Sequence, residues 1–144
     1  MITVTEMELQ KFQSHEALGK LVAVEGGKEI PIPIKRVFYV FGAREDVVRG
    51  KHAHRECTQV LVCVNGSCEV ICDDGTDRKT FMMSNPEEFL VIPPGIWASE
   101  RYVTKDTVLM VFCDMPYNSK EYIRHYDQFI EFRNNSVVPL EKAA

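Results

Sequence analysis

The chain has 144 residues, of which 45% are hydrophobic and 26% are charged, as in an ordinary globular protein. Its formal net charge of −4 argues against nonspecific binding to nucleic acid or to an anionic membrane. No apolar run approaches the roughly 20 residues that a membrane-spanning helix needs, and the N-terminal residues do not resemble a secretory signal. The five cysteines form no Cys-x-x-Cys pair. We therefore expect a single cytoplasmic domain over residues 1–144.

Short strand-like segments separated by turn residues fill most of the chain. The segment 19–25 ends at Gly26-Gly27, and the prolines within 30–34 favour an edge or lead-in segment. Aromatic and β-branched residues at 35–41 predict the next strand. Later strands are predicted at 60–64, 67–72, 79–83, 89–92 and 107–113. About eight short strands with almost no helix between them indicate an all-β sandwich or barrel.

Two local signals connect or follow these strands. Asn65-Gly66 predicts a type I′ hairpin between 60–64 and 67–72, because such a turn needs positive φ at both central residues. Asn118 and Glu121 have the spacing of a capping box and predict the start of a C-terminal amphipathic helix. Apolar residues recur at helical spacing after that cap: Tyr122, Ile123, Tyr126, Phe129 and Ile130. Residues 134–144 are expected to form a loose tail.

Two of the four histidines, His52 and His54, lie one residue apart within the segment 48–59. If this segment is a strand, both side chains point to the same face. Two imidazoles on one face are either metal ligands or a pair that handles protons. The pair alone does not decide between these two kinds of site.

The pattern His52-x-His54-x4-Gln59-x6-Gly66, followed by Pro93-x-Gly95, resembles the two-part motif of the cupin superfamily. The resemblance implies a double-stranded β-helix, or jelly-roll barrel. The family usually has a Glu where this chain has Gln59 and a third His where it has Ala98. Two imidazoles and an amide hold a divalent ion weakly. We therefore expect neither a metal nor another cofactor.

Within that superfamily the closest resemblance is to the sugar-nucleotide 3,4-ketoisomerases. Three segments carry it: Arg49-Gly50-Lys51-His52-Ala53-His54, Pro94-Gly95-Ile96-Trp97 and Tyr122-Ile123-Arg124-His125-Tyr126-Asp127-Gln128-Phe129. The resemblance implies a metal-free isomerase that moves the keto group of dTDP-4-oxo-6-deoxyglucose from C4 to C3 through an enediol. Such a reaction leads to the 3-amino-3,6-dideoxy sugars of surface polysaccharides. The resemblance also implies a homodimer that exchanges N-terminal strands.

The same resemblance assigns roles to the histidines, and Tyr39 is a further candidate because it lies on the strand before them. His54 is the expected base, and His52 the neighbouring acid/base or the donor to the developing oxyanion; the two roles are interchangeable at this point. A structural hydrogen-bonded pair inside a barrel is the alternative. Tyr39 is a candidate to stabilise the enediolate, or is simply a core aromatic residue. On a regular strand Arg36 and Tyr39 face opposite sides, so both reach one pocket only if a bulge intervenes.

The remaining candidates are expected to bind substrate. Arg49 suits a diphosphate because its guanidinium donates two parallel hydrogen bonds; Arg36 is a further candidate. Gln59 points inward and needs a partner, either the sugar or a histidine. Trp97 either stacks on the thymine or packs in the core. In the family the residue at Ala98 bears on the configuration at C4.

Three other functions are compatible with these residues. A sugar-nucleotide 3,5-epimerase also removes the C3 proton but returns it to the opposite face of the ring. A non-catalytic cupin only binds the nucleotide sugar. A metal-dependent dioxygenase of the same fold needs a complete metal site.

Overall fold

The computed structural model describes residues 1–16 and 18–136. Its strands are β1 (Gln10–Lys11), β2 (His15–Glu16), β3 (Lys20–Leu21), β4 (Arg36–Val40), β5 (Val47–His54), β6 (Gln59–Asn65), β7 (Cys68–Asp73), β8 (Arg78–Met83), β9 (Glu88–Ile92), β10 (Trp97–Tyr102), β11 (Val108–Cys113) and β12 (Tyr122–Ile123). Two 3-10 turns, Val4–Glu6 and Ser119–Glu121, and one helix, α1 (Tyr126–Asn135), complete the described secondary structure. No helix in these ranges is long and apolar enough to span a membrane.

Ten of the strands form two five-stranded antiparallel sheets. The first sheet has the order β1-β9-β6-β11-β4, and the second has the order β12-β5-β10-β7-β8. Strands consecutive in the chain repeatedly fall in opposite sheets, as in a jelly roll. The prediction of an all-β cupin barrel with a short C-terminal helix is thus confirmed.

The core lies between the two sheets because alternate residues of each strand point inward. Leu61 and Cys63 of β6 pack there with Val70 and Cys72 of β7. All five cysteines are free and buried, where a free cysteine packs as a small hydrophobic residue. A smaller cluster around Phe12, Ile30, Val60 and Phe112 covers part of the outer face of the first sheet.

Asn65-Gly66 does not form the predicted hairpin. The strands on either side of it, β6 and β7, belong to different sheets and do not pair. Only Gly66 of the two residues has a positive φ, 75°, whereas a type I′ turn requires it at both. The dipeptide therefore turns the chain from one sheet to the other.

The C-terminal helix begins later than predicted. Asn118 caps the short turn Ser119–Glu121, accepting a hydrogen bond from the Lys120 N–H, and the chain then extends as β12. Tyr122 and Ile123 are thus strand residues, because they pair with His54 and Ala53 of β5. Asn134 and Asn135, predicted in the tail, end the helix, and residues 137–144 of that prediction lie outside the described residues.

Two strands differ from the prediction. The predicted strand 19–25 is reduced to β3, which pairs with β2. The segment at 97–102 was not predicted to be a strand because Ser99, Glu100 and Arg101 interrupt its apolar pattern. It forms β10 in the middle of the second sheet, beside β5.

Candidate active site

The two histidines lie on β5 and point into the barrel, as the alternation of the strand predicts. Their rings meet edge to face, with 5.0 Å between the ring centroids. His52 lines a small cavity between the sheets, while His54 lies beside it and is only 6% exposed. The strand neighbour of His52 is Ala98 of β10. The position of the expected third histidine is therefore adjacent to the pair, and a methyl group occupies it.

A β-bulge in β5 determines which other side chains reach this cavity. Ala98 pairs with His52 but Ser99 pairs with Gly50, so Lys51 is an extra residue on β5. Gly50 and Lys51 have positive φ values of 86° and 59°. The extra residue reverses the alternation, so Arg49 lines the cavity together with His52. A regular strand would point the two side chains to opposite faces.

The histidines are held in the neutral form by their surroundings. Burial is the main cause that lowers the pKa of His54 to about 3, and the neighbouring His52, Arg36 and Arg124 contribute to the same shift. Burial also lowers the pKa of His52, with a smaller contribution from Arg124. A neutral imidazole is the form that accepts a proton, so the site presents bases rather than cations.

Tyr122 connects the histidines to Arg36. Its ring lies 4.5 Å from the His54 ring and 4.9 Å from the His52 ring, measured between centroids. Arg36 donates a hydrogen bond to the Tyr122 hydroxyl at 3.1 Å, and the Arg124 guanidinium lies over the Tyr122 ring at 4.5 Å. Because the Tyr122 oxygen accepts a hydrogen bond from the Arg36 guanidinium, its hydroxyl proton is free to be donated to another acceptor.

Glu100 is an acidic residue in the wall of the same cavity, next to Arg49. Burial raises the pKa of Glu100 to about 7, and the charge of Arg49 opposes that rise. A Cβ atom at Gly50 would overlap the Glu100 carboxylate. The glycine in the bulge therefore provides the space in which Glu100 lies.

The structure separates two predicted residues from the histidines. Tyr39 is 60% exposed and points out of the barrel, as the opposite facing of Arg36 and Tyr39 requires. Trp97 packs against the rings of Tyr126 and Phe129 of α1, at centroid distances of 5.4 and 5.6 Å. Of the two alternatives for Trp97, packing is therefore the one observed, and its ring joins the barrel to the helix.

The structure brings the other predicted residues to the cavity or its edge. Gln59 lines the cavity, is 7% exposed, and donates a hydrogen bond to the Cys113 sulfur at 3.5 Å. Arg36 reaches the site through Tyr122. Among the described residues, no three His, Cys, Asp or Glu side chains are grouped to hold a metal ion. Function without a metal remains a prediction.

Sequence reasoning missed Tyr122, Glu121, Glu100 and Arg124. Tyr122 and Glu121 were included in the predicted helix, and Glu100 lies on the strand that was not predicted. One signal was available: the motif that contains Tyr122 and Arg124 is among those that carry the family resemblance.

Comparisons with known proteins identify the family of the chain. The family described as FdtA (WxcM-like, C-terminal) matches residues 3–134. A TDP-4-oxo-6-deoxy-alpha-D-glucose-3,4-oxoisomerase from Aneurinibacillus thermoaerophilus is 41% identical over 117 residues, which are 81% of this chain and 84% of that protein. A 3,4-ketoisomerase structure from Helicobacter canadensis has a TM-score of 0.86 at 36% identity, covering 90% of this chain and 98% of that one.

A second solved structure supports the same assignment. The sugar 3,4-ketoisomerase QdtA from Thermoanaerobacterium thermosaccharolyticum, solved in complex with TDP, has a TM-score of 0.89 at 31% identity. The similarity covers 94% of this chain and all of that one. The chain therefore belongs to the WxcM-like, C-terminal (FdtA) family of cupin-fold sugar-nucleotide 3,4-ketoisomerases.

Proposed function

We propose that this chain converts TDP-4-oxo-6-deoxyglucose into its 3-oxo isomer, with His54 and His52 as the acid/base pair. The observation that carries the proposal is the pair itself: a buried and a half-buried imidazole, both neutral, in contact at a cavity inside the barrel. The substrate follows from the oxoisomerase relative that is 41% identical. The product would serve the synthesis of 3-amino-3,6-dideoxy sugars of surface polysaccharides.

The reaction requires two proton movements, and the site offers groups for both. The C3 proton, acidified by the C4 carbonyl, leaves to a base and returns at C4. The hydroxyl proton at O3 leaves, and O4 gains one, so the overall composition is unchanged. We assign the carbon-bound proton to His54. His52, which lines the cavity, and the Tyr122 hydroxyl are the groups placed to serve the oxygens.

Substrate binding should make His54 a stronger base. Arg36 and Arg124 are among the positive charges that lower its pKa. An anionic diphosphate bound near them would neutralise part of that charge, and an opposite charge favours protonated imidazole. Arg49 is positioned in the cavity wall to bind the substrate, and Gln59 and Glu100 to hydrogen-bond sugar hydroxyls. Ala98 pairs with His52 across the two strands, at the position that bears on the configuration at C4 in the family.

The test is NMR of the product formed from TDP-4-oxo-6-deoxyglucose in deuterated buffer. We expect the carbonyl carbon at C3 and deuterium at C4, and the coupling of the C4 proton in ordinary water gives its configuration. A carbonyl that stays at C4 while C3 or C5 inverts identifies an epimerase. Unchanged substrate that nevertheless binds identifies a binding protein. Either of these outcomes contradicts the proposed isomerase.

We also propose that two copies form a homodimer through the outer face of the first sheet. That face exposes Val37, Tyr39, Phe41 and Val64, each between 41 and 68% exposed, next to the partly apolar groove between the N-terminal segment and β6 and β11. A second copy of the chain would cover these apolar side chains. Exchange of N-terminal strands is compatible with this arrangement, because β1 is an edge strand that pairs only with β9.

The dimer is tested by light scattering of the Tyr39→Asp variant. We expect the wild-type mass to be that of two chains and the variant mass to be that of one, because a buried carboxylate in an apolar interface is unfavourable. Met82→Asp is the matched control, since Met82 is 45% exposed on β8 of the other sheet. A monomeric wild type, or equal masses for Tyr39→Asp and wild type, contradicts this interface.

We further propose that the protein acts in the cytoplasm and without a cofactor. Five free, buried cysteines suit a reducing compartment. The proposed isomerisation is redox-neutral within one molecule, so it requires no external oxidant or reductant. Metal analysis of the purified, active protein would test the absence of a metal.

A further inference from the structure

Both ring nitrogens of His54 are buried without a hydrogen-bond partner among the described residues. Such atoms are rare in folded proteins, and each needs an explanation. A carboxylate lies close to one of them, because Glu121 Oε1 is 3.6 Å from His54 Nδ1. Both side chains are 7% exposed. The pair is therefore a close, buried imidazole–carboxylate contact at the candidate base.

Glu121 is held firmly in this position by the backbone. Its Oε1 accepts hydrogen bonds from the N–H groups of Cys57, at 2.7 Å, and Glu56, at 2.9 Å. The Glu121 carbonyl accepts a further one from the Arg55 N–H at 3.1 Å. The next residue, Tyr122, pairs with His54 in the sheet. The turn that carries Glu121 is thus fixed to the end of the histidine strand.

This arrangement selects one tautomer of the neutral imidazole. An oxygen that accepts two backbone hydrogen bonds presents electron pairs, not a proton, to Nδ1. An unprotonated Nδ1 would place a lone pair against that oxygen, which is unfavourable in a buried site, whereas an Nδ1–H is attracted to it. The proton of neutral His54 therefore belongs on Nδ1, which leaves Nε2 without one.

We propose that Glu121 is a positioning residue that keeps His54 protonated at Nδ1, so that Nε2 is available to accept the substrate proton. When Nε2 takes the C3 proton, the carboxylate also stabilises the imidazolium that forms, as a third group orients the base in other acid/base sites. The role rests on the proposed function, because it describes the base of that reaction. The tautomer itself, however, can be measured without substrate.

The test is ¹⁵N NMR of histidine-labelled protein, with His54 assigned by comparison with His54→Asn. We expect wild-type His54 near neutral pH to carry its proton on Nδ1. In Glu121→Gln we expect that preference to be lost and kcat to fall about 100-fold, the scale of acid/base assistance. KM should change by less than about threefold, because Glu121 acts through His54 and does not touch the substrate.

Asp114→Asn is the matched control. Asp114 accepts a hydrogen bond from the Thr58 backbone N–H at 2.9 Å, on the same segment that Glu121 binds, but does not contact His54. Asp114→Asn should lower the melting temperature while leaving the His54 tautomer unchanged. Wild-type His54 protonated at Nε2 overturns the proposal, even if Glu121→Gln fails to fold. So does a Glu121→Gln enzyme with wild-type kcat and tautomer. A normal tautomer without isomerase activity would instead count against the proposed function.

Discussion

Replacing His54 by Asn is expected to lower kcat by about 10³-fold and to stop the exchange of the C3 proton with deuterated buffer. Asn is smaller than His but keeps a side-chain hydrogen-bond donor, and it does not accept a proton near neutral pH. The barrel should fold, because the Asn amide can still donate toward Glu121 and the other neighbours of His54 are the rings of His52 and Tyr122. Product NMR and circular dichroism measure the two effects.

His52→Asn separates the two proton movements. If His52 serves the oxygens, this variant should still exchange the C3 proton slowly but should not deliver the 3-oxo product at the wild-type rate. The same experiment tests the opposite assignment of roles. In that case His52→Asn would abolish the exchange of the C3 proton with solvent, and His54→Asn would retain it. This comparison matters because His52, and not His54, lines the cavity directly.

His125→Asn is the control for both variants. His125 precedes α1 and makes no capping hydrogen bond with its side chain, so its replacement should leave exchange and turnover unchanged. If His52→Asn and His54→Asn both exchange the C3 proton at the wild-type rate, the histidine pair is not the acid/base pair.

The sequence allowed the inward histidine pair to be predicted because strand alternation is a local rule. It also indicated Gln59 and Ala98 correctly as inward neighbours of the pair. The pairing of strands that are distant in the chain follows no such rule. Asn65-Gly66 has the composition of a hairpin turn, but tertiary packing places β6 and β7 in different sheets.

The other residues around His54 were not predicted for a related reason. Tyr122 and Glu121 fit a helical pattern as well as an extended one, and short segments of this kind are ambiguous from periodicity alone. Their conformation is decided by pairing with β5 and by the backbone N–H groups that Glu121 binds. Glu100 lies on a central strand whose apolar pattern it interrupts, so the carboxylate that lines the cavity also made the strand difficult to predict.

Gly50 is the other position where a single substitution should have a large effect. Gly50→Ala is expected to lower kcat/KM about 100-fold, since small displacements of positioned groups have effects of this size. Its φ of 86° is in the left-handed region, where an L-residue is strained by about 1–2 kcal/mol. The added Cβ would also fall on the Glu100 carboxylate and lie 3.1 Å from the Ala98 carbonyl oxygen.

Gly42→Ala isolates the backbone strain from the contact with Glu100. Gly42 has a φ of 72°, and a Cβ there meets no atom within 4 Å, so this variant should lose stability but change kcat/KM by less than about threefold. Equal losses of activity in Gly42→Ala and Gly50→Ala would show that the bulge does not position the site.

A double-mutant cycle then measures how much of the stability lost in Gly50→Ala is due to the contact with Glu100. Adding Gly50→Ala to a Glu100→Ala background should lower the free energy of unfolding by less than it does in the wild type, because the carboxylate that the methyl group meets is gone. The contact with the Ala98 carbonyl remains in both backgrounds. Denaturant unfolding of the four proteins measures the coupling. A coupling of zero would mean that Gly50 is required for its φ and for its approach to the Ala98 carbonyl, and that the space it leaves for Glu100 is incidental.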